Sequence, residues 1–303
     1  MTPGRMLQEP ARYGYTTVGH VTIDVMQDGF RRPGGTAFYS ALQAARLGHR
    51  ALIVTRAVPS EIEDVLGPYA GELDVRVIPA AHTTTLATRG EGRERSQRLL
   101  AWAGRIADGV AVDTDILHLA PVARETPSRW SGRADFVGLT PQGLLRSWEA
   151  RDGRVSLAQP GPNADPHEPA GAAEALALAG ACDALVLSRE ERRTWPQLVA
   201  AATSAGATVA VTDGGDPNTL LSGAEAGERM AIAVPTVADV VEDLGAGDVY
   251  AAALFVALQR GRSVVAAAAF ANAAAGVRMM GRGPGAVADL AAVEDRLRVT
   301  GAG

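Results

Sequence analysis

The chain has 303 residues, of which 47% are hydrophobic and 21% charged, as expected for a globular protein built on one large domain. It carries 34 acidic residues against 29 lysines and arginines, and this net charge of −5 excludes the basic surface that nucleic-acid binding requires. All 29 of these basic residues are arginine, and the chain contains no lysine. Without lysine the chain can be neither a Schiff-base nor a pyridoxal-phosphate enzyme, and it cannot contain a Walker A phosphate loop.

The cysteine, the histidines and the apolar segments exclude further classes of protein. The single cysteine, Cys182, excludes an internal disulfide and a cysteine-based zinc site, and the five histidines show no pair at metal-ligand spacing. The N-terminus lacks the pattern of a signal peptide. The longest apolar stretch, residues 264–277, is too short to span a bilayer and is interrupted by Asn272. We therefore expect a soluble, cytoplasmic protein with no membrane or nucleic-acid partner.

Short apolar runs alternate with longer segments of helical period along most of the chain. The runs predict buried strands at 16–21, 51–55, 116–119, 134–137, 184–187 and 208–211. Helices are predicted at 36–47, 143–150, 171–180 and 196–205, and then in succession at 246–259, 263–280 and 289–298. Strands separated by helices indicate an α/β fold with a mostly parallel sheet between two helical layers.

Two segments break this alternation and predict a small lid. Residues 24–32 have the pattern of a short strand and turn, and segments 83–89 and 98–103 flank a charged, glycine-containing turn as in a β-hairpin. The proline-rich segment 160–169 is interpreted as a surface connection. We interpret residues 1–303 as one domain, with lid elements at about 24–34 and 83–103.

The most informative motif is Glu-Asp-Leu-Gly-Ala-Gly-Asp at 242–248, which leads into an apolar helix. Gly245 and Gly247 allow a backbone to approach a ligand closely, and the free N–H groups of a helix start attract an anion. Asp248 lies in that first turn, where a carboxylate can accept the proton of an attacking hydroxyl. The simpler alternative is a helix cap in which Asp248 satisfies backbone donors.

A dinucleotide-binding loop is a weaker alternative. Its third glycine is replaced by Tyr250, and the motif lies near the C-terminus instead of after the first strand. A second glycine pair, Gly34-Gly35, begins the predicted helix at 36, shortly after an acidic residue, Asp24. With both signatures in this order and a hairpin between them, the chain resembles the ribokinase (PfkB-type) family of carbohydrate kinases over nearly its whole length.

This resemblance implies a ribokinase-like α/β/α sandwich, ATP and Mg²⁺ as cofactors, and roles for the matching residues. Asp248 would be the catalytic base, and the N–H groups of Gly245, Ala246 and Gly247 would form the anion hole. Asp24, Gly34 and Gly35 would contact the acceptor. Segment 188–191 matches the family's Asn-x-x-Glu motif, so that Glu191 would organise water around Mg²⁺ and Ser188 replaces the amide. On the nucleotide side the matching residues are Thr212, Gly214 and Asn272, the last of which could equally be a helix-packing amide.

The chain also departs from the family pattern. Leu244 replaces a threonine before the Gly-Ala-Gly-Asp motif, which puts a supporting hydrogen bond and the monovalent-cation site of some members in doubt. Thr36 and Tyr39 stand where members that phosphorylate ribose-type sugars often carry asparagine. Ordinary ribokinase or fructokinase activity is therefore not the expectation.

A narrower subgroup, which is similar to myo-inositol kinases, fits better. The segments 116–125 and 139–146, the aromatic Tyr39 and the lid residue Thr84 resemble that subgroup, with Thr140 in place of its aspartate. Gln142 offers a donor and an acceptor, and Arg146 offers five donors one predicted helical turn later. Together they could bind a ring with several hydroxyls, whereas the alternative for Arg146 is a surface ion pair with Glu149 or Asp152.

We therefore expect an ATP-dependent kinase that phosphorylates a cyclitol or sugar. The first alternative is a nucleoside kinase, in which Phe38, Tyr39 or Trp102 would stack on a base. The second is a non-catalytic regulator, which the departures at Leu244, Ser188 and Thr140 favour and the intact Asp248 and Glu191 oppose. Self-association into a homodimer through the lid is a further expectation, because the hairpin edge would be exposed in a monomer.

Overall fold

A computed structural model describes residues 12–90, 92–158, 169–222 and 228–300. Its strands are β1 Tyr13–Val18, β2 Thr22–Val25, β3 Arg31–Gly34, β4 Ala51–Ala57, β5 Leu73–Pro79, β6 Thr85–Arg89, β7 Ser96–Ala101, β8 Val110–Leu119, β9 Trp130–Leu139, β10 Arg146–Trp148, β11 Val155–Leu157, β12 Ala184–Ser188, β13 Thr208–Asp213, β14 Asp216–Ser222 and β15 Glu228–Ile232. Its helices are α1 Thr36–Arg46, α2 Pro59–Leu66, α3 Gln142–Leu145, α4 Pro169–Ala179, α5 Arg189–Thr194, α6 Pro196–Ser204, α7 Ala246–Gln259, α8 Val264–Met279 and α9 Leu290–Val299.

The central layer is a nine-stranded sheet with the order β15-β14-β13-β12-β9-β8-β1-β4-β5. The seven strands from β13 to β5 run parallel, and β14 and β15 extend one edge in antiparallel fashion. The strand ends are in register, because Val18 pairs with Leu119, Leu119 with Leu139, and Ser188 with Thr212. In such a sheet, ligands bind beyond the carboxyl ends of the strands, so this register defines the edge where a site is expected.

Apolar residues on both sides of the sheet explain the layers. On one face, residues of α1, α7 and α8 form a core with β1 and β4, and on the other, residues of α4 and α6 pack against β9, β12 and β13. Helix α7 is buried almost all round, which its Ala-rich sequence permits because small side chains allow close helix packing. The predicted α/β/α sandwich with a mostly parallel sheet is confirmed.

The lid is larger than the predicted hairpin. Strands β6 and β7 form the hairpin, and β2 joins β6 in parallel through pairs such as Ile23 with Thr85, so that the sheet order is β3-β2-β6-β7. The two lid segments predicted from separate parts of the sequence therefore form one four-stranded sheet. Its strand β2 follows the end of β1 closely, which places the lid over the carboxyl edge of the central sheet.

Some element predictions are wrong. The helix predicted at 143–150 ends at Leu145, and Arg146 has extended backbone angles (φ −79°, ψ 144°) and begins β10, which pairs with β11. The apolar pattern does not predict helix α2 or strands β5, β14 and β15, since α2 is short and these strands lie towards the edges of the sheet, where the apolar runs are less continuous. Most of the proline-rich segment 160–169 lies outside the described residues. Within the described ranges, no helix is long and apolar enough to cross a bilayer.

Candidate active site

The N-terminus of α7 presents free backbone donors beside open space. Gly245 caps the helix in the left-handed region (φ 83°), where a Cβ would lie 2.6 Å from the Tyr39 ring, so only glycine fits. The N–H groups of Gly245, Gly247 and Asp248 have no acceptor among the described residues, and no atom lies within 4 Å of a Cβ placed on Gly247. The first turn of α7 can therefore receive an anion.

One predicted donor of this anion hole is not available. The N–H of Ala246 donates to the Asp243 carbonyl (3.1 Å), because the chain makes a tight turn into the helix. In this geometry the Ala246 N–H is therefore already engaged, whereas the N–H of Asp248 is free to donate.

The carboxyl group of Asp248 is half-buried at this helix start. Burial raises the pKa of Asp248 to about 6, while contact with the Thr36 side chain and the charge of Arg146 oppose the shift. The backbone of Asp248 is held by α1, since the Ser40 hydroxyl donates to the Asp248 carbonyl (3.1 Å). A carboxylate with a pKa near neutrality is suited to accept a proton from a substrate hydroxyl.

Asp24 lies on lid strand β2, close enough for its charge to raise the pKa of Asp248. It is buried, which raises the pKa of Asp24 itself, and its Oδ1 accepts a hydrogen bond from the Thr22 hydroxyl (2.8 Å). A Cβ on Gly34 would lie 2.2 Å from Asp24 Oδ2, and Gly35 has φ 87°. Glycines at 34 and 35 thus make room for the carboxylate and for the turn into α1.

Arg146 joins the acidic residues of the site. Its guanidinium donates to the Val122 carbonyl (3.0 Å) and to Gln97 of the lid (2.9 Å). Burial lowers the pKa of Arg146, whereas the charges of Glu191, Asp248 and Asp24 raise it. A surface ion pair of Arg146 with Glu149 or Asp152 is not observed, and the side chain instead interacts with three carboxylates of the site.

The other predicted acceptor residues differ in accessibility. Gln142 is exposed at the first position of α3. Tyr39 is 1% exposed beneath Gly245, and burial raises its pKa to about 12. Thr84 is completely buried, and its hydroxyl hydrogen-bonds with His20 Nδ1 (2.7 Å) and with the Ala103 N–H (3.0 Å). Thr84 therefore holds neighbouring backbone and the Tyr39 ring packs against Gly245, so neither side chain is accessible to an acceptor in this structure.

Ser188 and Glu191 form a capping box at the start of α5. The Ser188 hydroxyl accepts from the Glu191 N–H (3.2 Å), and Glu191 Oε2 accepts from the Ser188 N–H (2.6 Å). Burial raises the pKa of Glu191, and the charge of Arg146 opposes the shift. Because this cap uses one carboxylate oxygen, the other remains for water around a cation. A single carboxylate with water and phosphate oxygens fits Mg²⁺, which keeps several waters in proteins.

Of the residues predicted to lie along the nucleotide, Thr212 and Gly214 are accessible to a ligand and Asn272 is not. Thr212 is half-buried at the end of β13, and Gly214 (φ 62°) has no atom within 4 Å of the position that a Cβ would take, so a ligand can approach this turn. The Asn272 side chain, in contrast, accepts from Asn218 (2.9 Å) and donates to the Ala233 carbonyl (3.2 Å). Asn272 is therefore engaged between two neighbouring segments, as the helix-packing alternative describes.

Three arginines at the site were not singled out by sequence reasoning. Arg95, in the lid, forms an ion pair with Asp243, just before the anion hole. Arg32 of β3 donates to both oxygens of Glu242 (3.0 and 2.8 Å), and Arg278 of α8 donates to one of them (2.7 Å). For Arg278 there was a signal, because it is a lone charge in an otherwise apolar helix; Arg32 and Arg95 lie in polar segments that carry no such signal.

A comparison with known protein families identifies one family that matches most of the chain. The family described as pfkB family carbohydrate kinase matches residues 20–289, which include the lid, the central sheet apart from β1, and the Gly-Ala-Gly-Asp motif. No curated protein sequence matches the chain significantly.

Solved structures share the fold at low sequence identity. A nucleoside kinase of Methanocaldococcus jannaschii, a member of the ribokinase family, has a TM-score of 0.71 at 15% identity and covers 96% of this chain and 100% of its own. A pyrophosphate-dependent myo-inositol-1 kinase that mutation converts into a myo-inositol-3 kinase has a TM-score of 0.69 at 18% identity, with 93% and 98% covered. Ribokinase of Arabidopsis thaliana, complexed with ribose and ATP, has a TM-score of 0.67 at 19% identity, with 95% and 99% covered. These similarities extend over nearly the full chains.

Proposed function

The chain belongs to the pfkB family of carbohydrate kinases, and from this membership we propose that it transfers the γ-phosphoryl group of ATP to a hydroxyl of a cyclitol or sugar, with a myo-inositol-like ring as the preferred acceptor. The observation that carries the proposal is the position of Asp248. It is a carboxyl group with a pKa of about 6, one residue after Gly247, at a helix start with unused N–H donors. A base and an anion hole at one point are what phosphoryl transfer requires.

The reaction follows from these groups. The acceptor oxygen attacks the γ-phosphorus, its proton passes to the Asp248 carboxylate, and the bond to the leaving ADP oxygen breaks. The N–H groups of Gly247 and Asp248 stabilise the negative charge that the transferred group carries. Mg²⁺, when bound, neutralises phosphate charge, and Glu191 would hold its water. The charge of Arg146 lowers the pKa of both Asp24 and Asp248, against the burial that raises both, and so favours their ionised forms.

The aromatic residues favour a polyol over a nucleoside. Stacking on a base needs an accessible ring, but Phe38 and Tyr39 are 0% and 1% exposed. Trp102 is 37% exposed at the lid, beside Trp148 (ring centroids 5.8 Å apart). The nucleoside alternative therefore depends on Trp102 alone among the three rings considered.

The identity of the phosphoryl donor is a separate part of the proposal. Gly214 and Gly247 both border free space that could hold a nucleotide, which supports ATP. Three structures of similar fold are, however, described as structures of pyrophosphate-dependent kinases. We propose ATP as the donor and a cytoplasmic location, where ATP is made, and pyrophosphate is the alternative to test.

The proposed function is tested by a product screen. The purified protein is incubated with Mg²⁺ and either ATP or pyrophosphate, and with cyclitols, hexoses, pentoses or nucleosides, and phosphorylated product is measured. We expect product from a cyclitol with ATP, and none with Asp248→Asn. Product from nucleosides alone would contradict the acceptor assignment, product with pyrophosphate alone would contradict the donor assignment, and absence of any product would favour the non-catalytic regulator.

The role of Gln142 is tested separately. Gln142→Ala should raise KM for the acceptor more than KM for ATP, because the exposed amide would be lost from the acceptor side only. Gln259→Ala is the matched control, since Gln259 is an exposed glutamine at the opposite end of α7. An unchanged acceptor KM in Gln142→Ala would remove this residue from the site.

A further inference from the structure

Arg278 is the largest side chain among the fully buried residues of the described chain. It lies in the last turn of α8, an alanine-rich helix that carries no other charged side chain. A buried guanidinium is costly unless its donors are satisfied by acceptors of opposite charge or by carbonyl oxygens. The contacts of Arg278 therefore indicate which part of the structure its charge stabilises.

Four oxygens converge on this guanidinium. Nη2 donates to the Leu244 carbonyl (2.7 Å) and to Glu242 Oε1 (2.7 Å), and Nη1 donates to the Gly281 carbonyl (3.0 Å) and contacts the Glu242 carbonyl (3.5 Å). Three backbone carbonyls and one carboxylate are the oxygen set with which proteins enclose a hard metal cation. In this chain an arginine side chain fills the enclosure, which we call the carbonyl cage (Glu242, Leu244 and Gly281).

The carbonyl cage is continuous with the anion hole. Leu244, whose carbonyl Arg278 holds, is followed directly by Gly245, the left-handed cap of α7. Arg278 also lies over the Tyr39 ring (5.5 Å to its centroid), and that ring lies against Gly245. The backbone that presents the free N–H groups is thus supported by Arg278 through two separate contacts.

Glu242 extends this support to the lid. Its carboxylate is shared between Arg278 and Arg32 of β3, and it also accepts from the Gly283 N–H (3.4 Å). The negative charge inside the cage is therefore compensated by two guanidinium groups without a metal ion.

We propose that Arg278 is a positioning residue, a built-in cation that fixes segment 242–245 so that the anion hole is formed before the substrates bind, and that phosphoryl transfer by this chain consequently needs no monovalent cation. The inference rests on the proposed function for its catalytic consequence. Arg278 touches neither substrate, and its effect passes through the backbone of Leu244 and Gly245.

The first test uses the unmodified protein. Its rate is measured at equal ionic strength in K⁺, Na⁺ and tetramethylammonium salts, and we expect the same rate in all three. A rate that depends on K⁺ would overturn the inference, because the cage would then not supply the cation that the reaction needs.

The second test empties the cage. In Arg278→Ala we expect kcat to fall about 100-fold with smaller changes in both KM values, since displaced donors chiefly affect the transition state. Millimolar methylguanidinium should restore part of kcat. Arg46→Ala is the matched control, because Arg46 also donates to a glutamate and to backbone carbonyls, but at 284–287; it should lose stability without a gain of kcat from methylguanidinium.

Two further measurements keep the inference open to disproof. If Arg278→Ala does not fold, Arg278→Lys retains a cation with fewer donors and should show an intermediate kcat that methylguanidinium does not restore; unchanged kcat would count against positioning. A folded Arg278→Ala with normal kcat, or with a loss that methylguanidinium leaves unchanged, would also overturn it.

A melting experiment separates this inference from the proposed function. Methylguanidinium should raise the melting temperature of Arg278→Ala and not that of the unmodified protein, because only the variant has an empty cage. If no donor and acceptor give product, the proposed function fails, and this melting shift alone decides whether the cage binds a cation.

Discussion

At the scale of one residue, the burial of Asp248 lowers the stability of the ionised form that the proposed base role requires. Burial raises its pKa from the ordinary value of 3.8 to about 6, so the folded protein binds this proton more tightly than the unfolded chain does. The stability of the fold therefore decreases as the pH rises from about 4 to about 6 and the carboxyl group ionises in its half-buried position. The proposed function accounts for this loss of stability, because the ionised form would be the base.

A single substitution tests the effect of the Asp248 carboxylate on both activity and stability. Asp248→Asn should lower kcat by about 10²- to 10⁴-fold, the usual contribution of a general base, while ATP binding is retained. At pH 7 the same variant should melt at a higher temperature than the unmodified protein, because an amide needs no ionisation. Calorimetry and steady-state kinetics measure the two effects. A variant with full activity would contradict the base assignment, and a lower melting temperature would contradict the burial argument.

The pH dependence of the reaction follows from the same pKa. Since the ionised carboxylate is the active form, kcat/KM should rise with pH to a plateau above about 6. Arg146 lowers the pKa of Asp248, so Arg146→Met should move this limb to higher pH. Arg129→Met is the control, because Arg129 is exposed, its side chain being 84% accessible. A limb that stays in place in Arg146→Met would show that the two charges do not interact in solution.

At the N-terminus of α7, two nearby positions are occupied by glycine for different structural reasons. Gly245 has a left-handed backbone and contacts the Tyr39 ring, whereas Gly247 has neither constraint and borders open space. The sequence motif treats them alike. The difference follows from the residues that the fold brings next to each of them.

A matched pair of variants tests this distinction. Gly245→Ala should destabilise the protein by about 1–3 kcal/mol, through backbone strain and the clash with Tyr39. Gly247→Ala should stabilise α7 by up to about 1 kcal/mol and still weaken donor binding, because the methyl group enters the space beside the free N–H groups. Denaturant unfolding and donor KM give both results. Equal loss of stability in the two variants would contradict the assignment.

At the scale of the whole molecule, ion pairs join the lid to segment 242–245. Arg95 and Arg32 on the lid pair with Asp243 and Glu242, which directly precede the anion hole. The lid also presents apolar side chains to the surface, since Phe30 is 63% and Leu100 57% exposed. An apolar surface on a β-sheet favours association with a second copy, and a lid-paired homodimer remains our prediction.

The dimer prediction is tested by sedimentation. The unmodified protein should sediment as a dimer, and Leu100→Asp should shift it towards the monomer by placing a charge in the interface. Val299→Asp is the control, since Val299 is 86% exposed on α9, away from the lid. A monomeric unmodified protein, or equal effects of the two variants, would contradict a lid interface.

The sequence alone determined the layered α/β fold, the order of its main elements and the point where α7 starts, because apolar periodicity and glycine positions are local properties of the chain. The helix predicted through Arg146 failed for a non-local reason, since contacts with Gln97 and Val122 hold this residue in an extended segment. Likewise, only the tertiary structure decided that Thr84, Tyr39 and Asn272 support backbone or packing, because their neighbours come from distant segments.

The same reason explains the carbonyl cage. Arg278 lies far along the chain from Tyr39, and its contact with Glu242 and Leu244 arises only when α8 packs against α7. A motif can indicate where a base and an anion hole lie. Which cation holds that backbone in place is a property of the folded molecule, because it depends on oxygens that separate turns bring to one buried point.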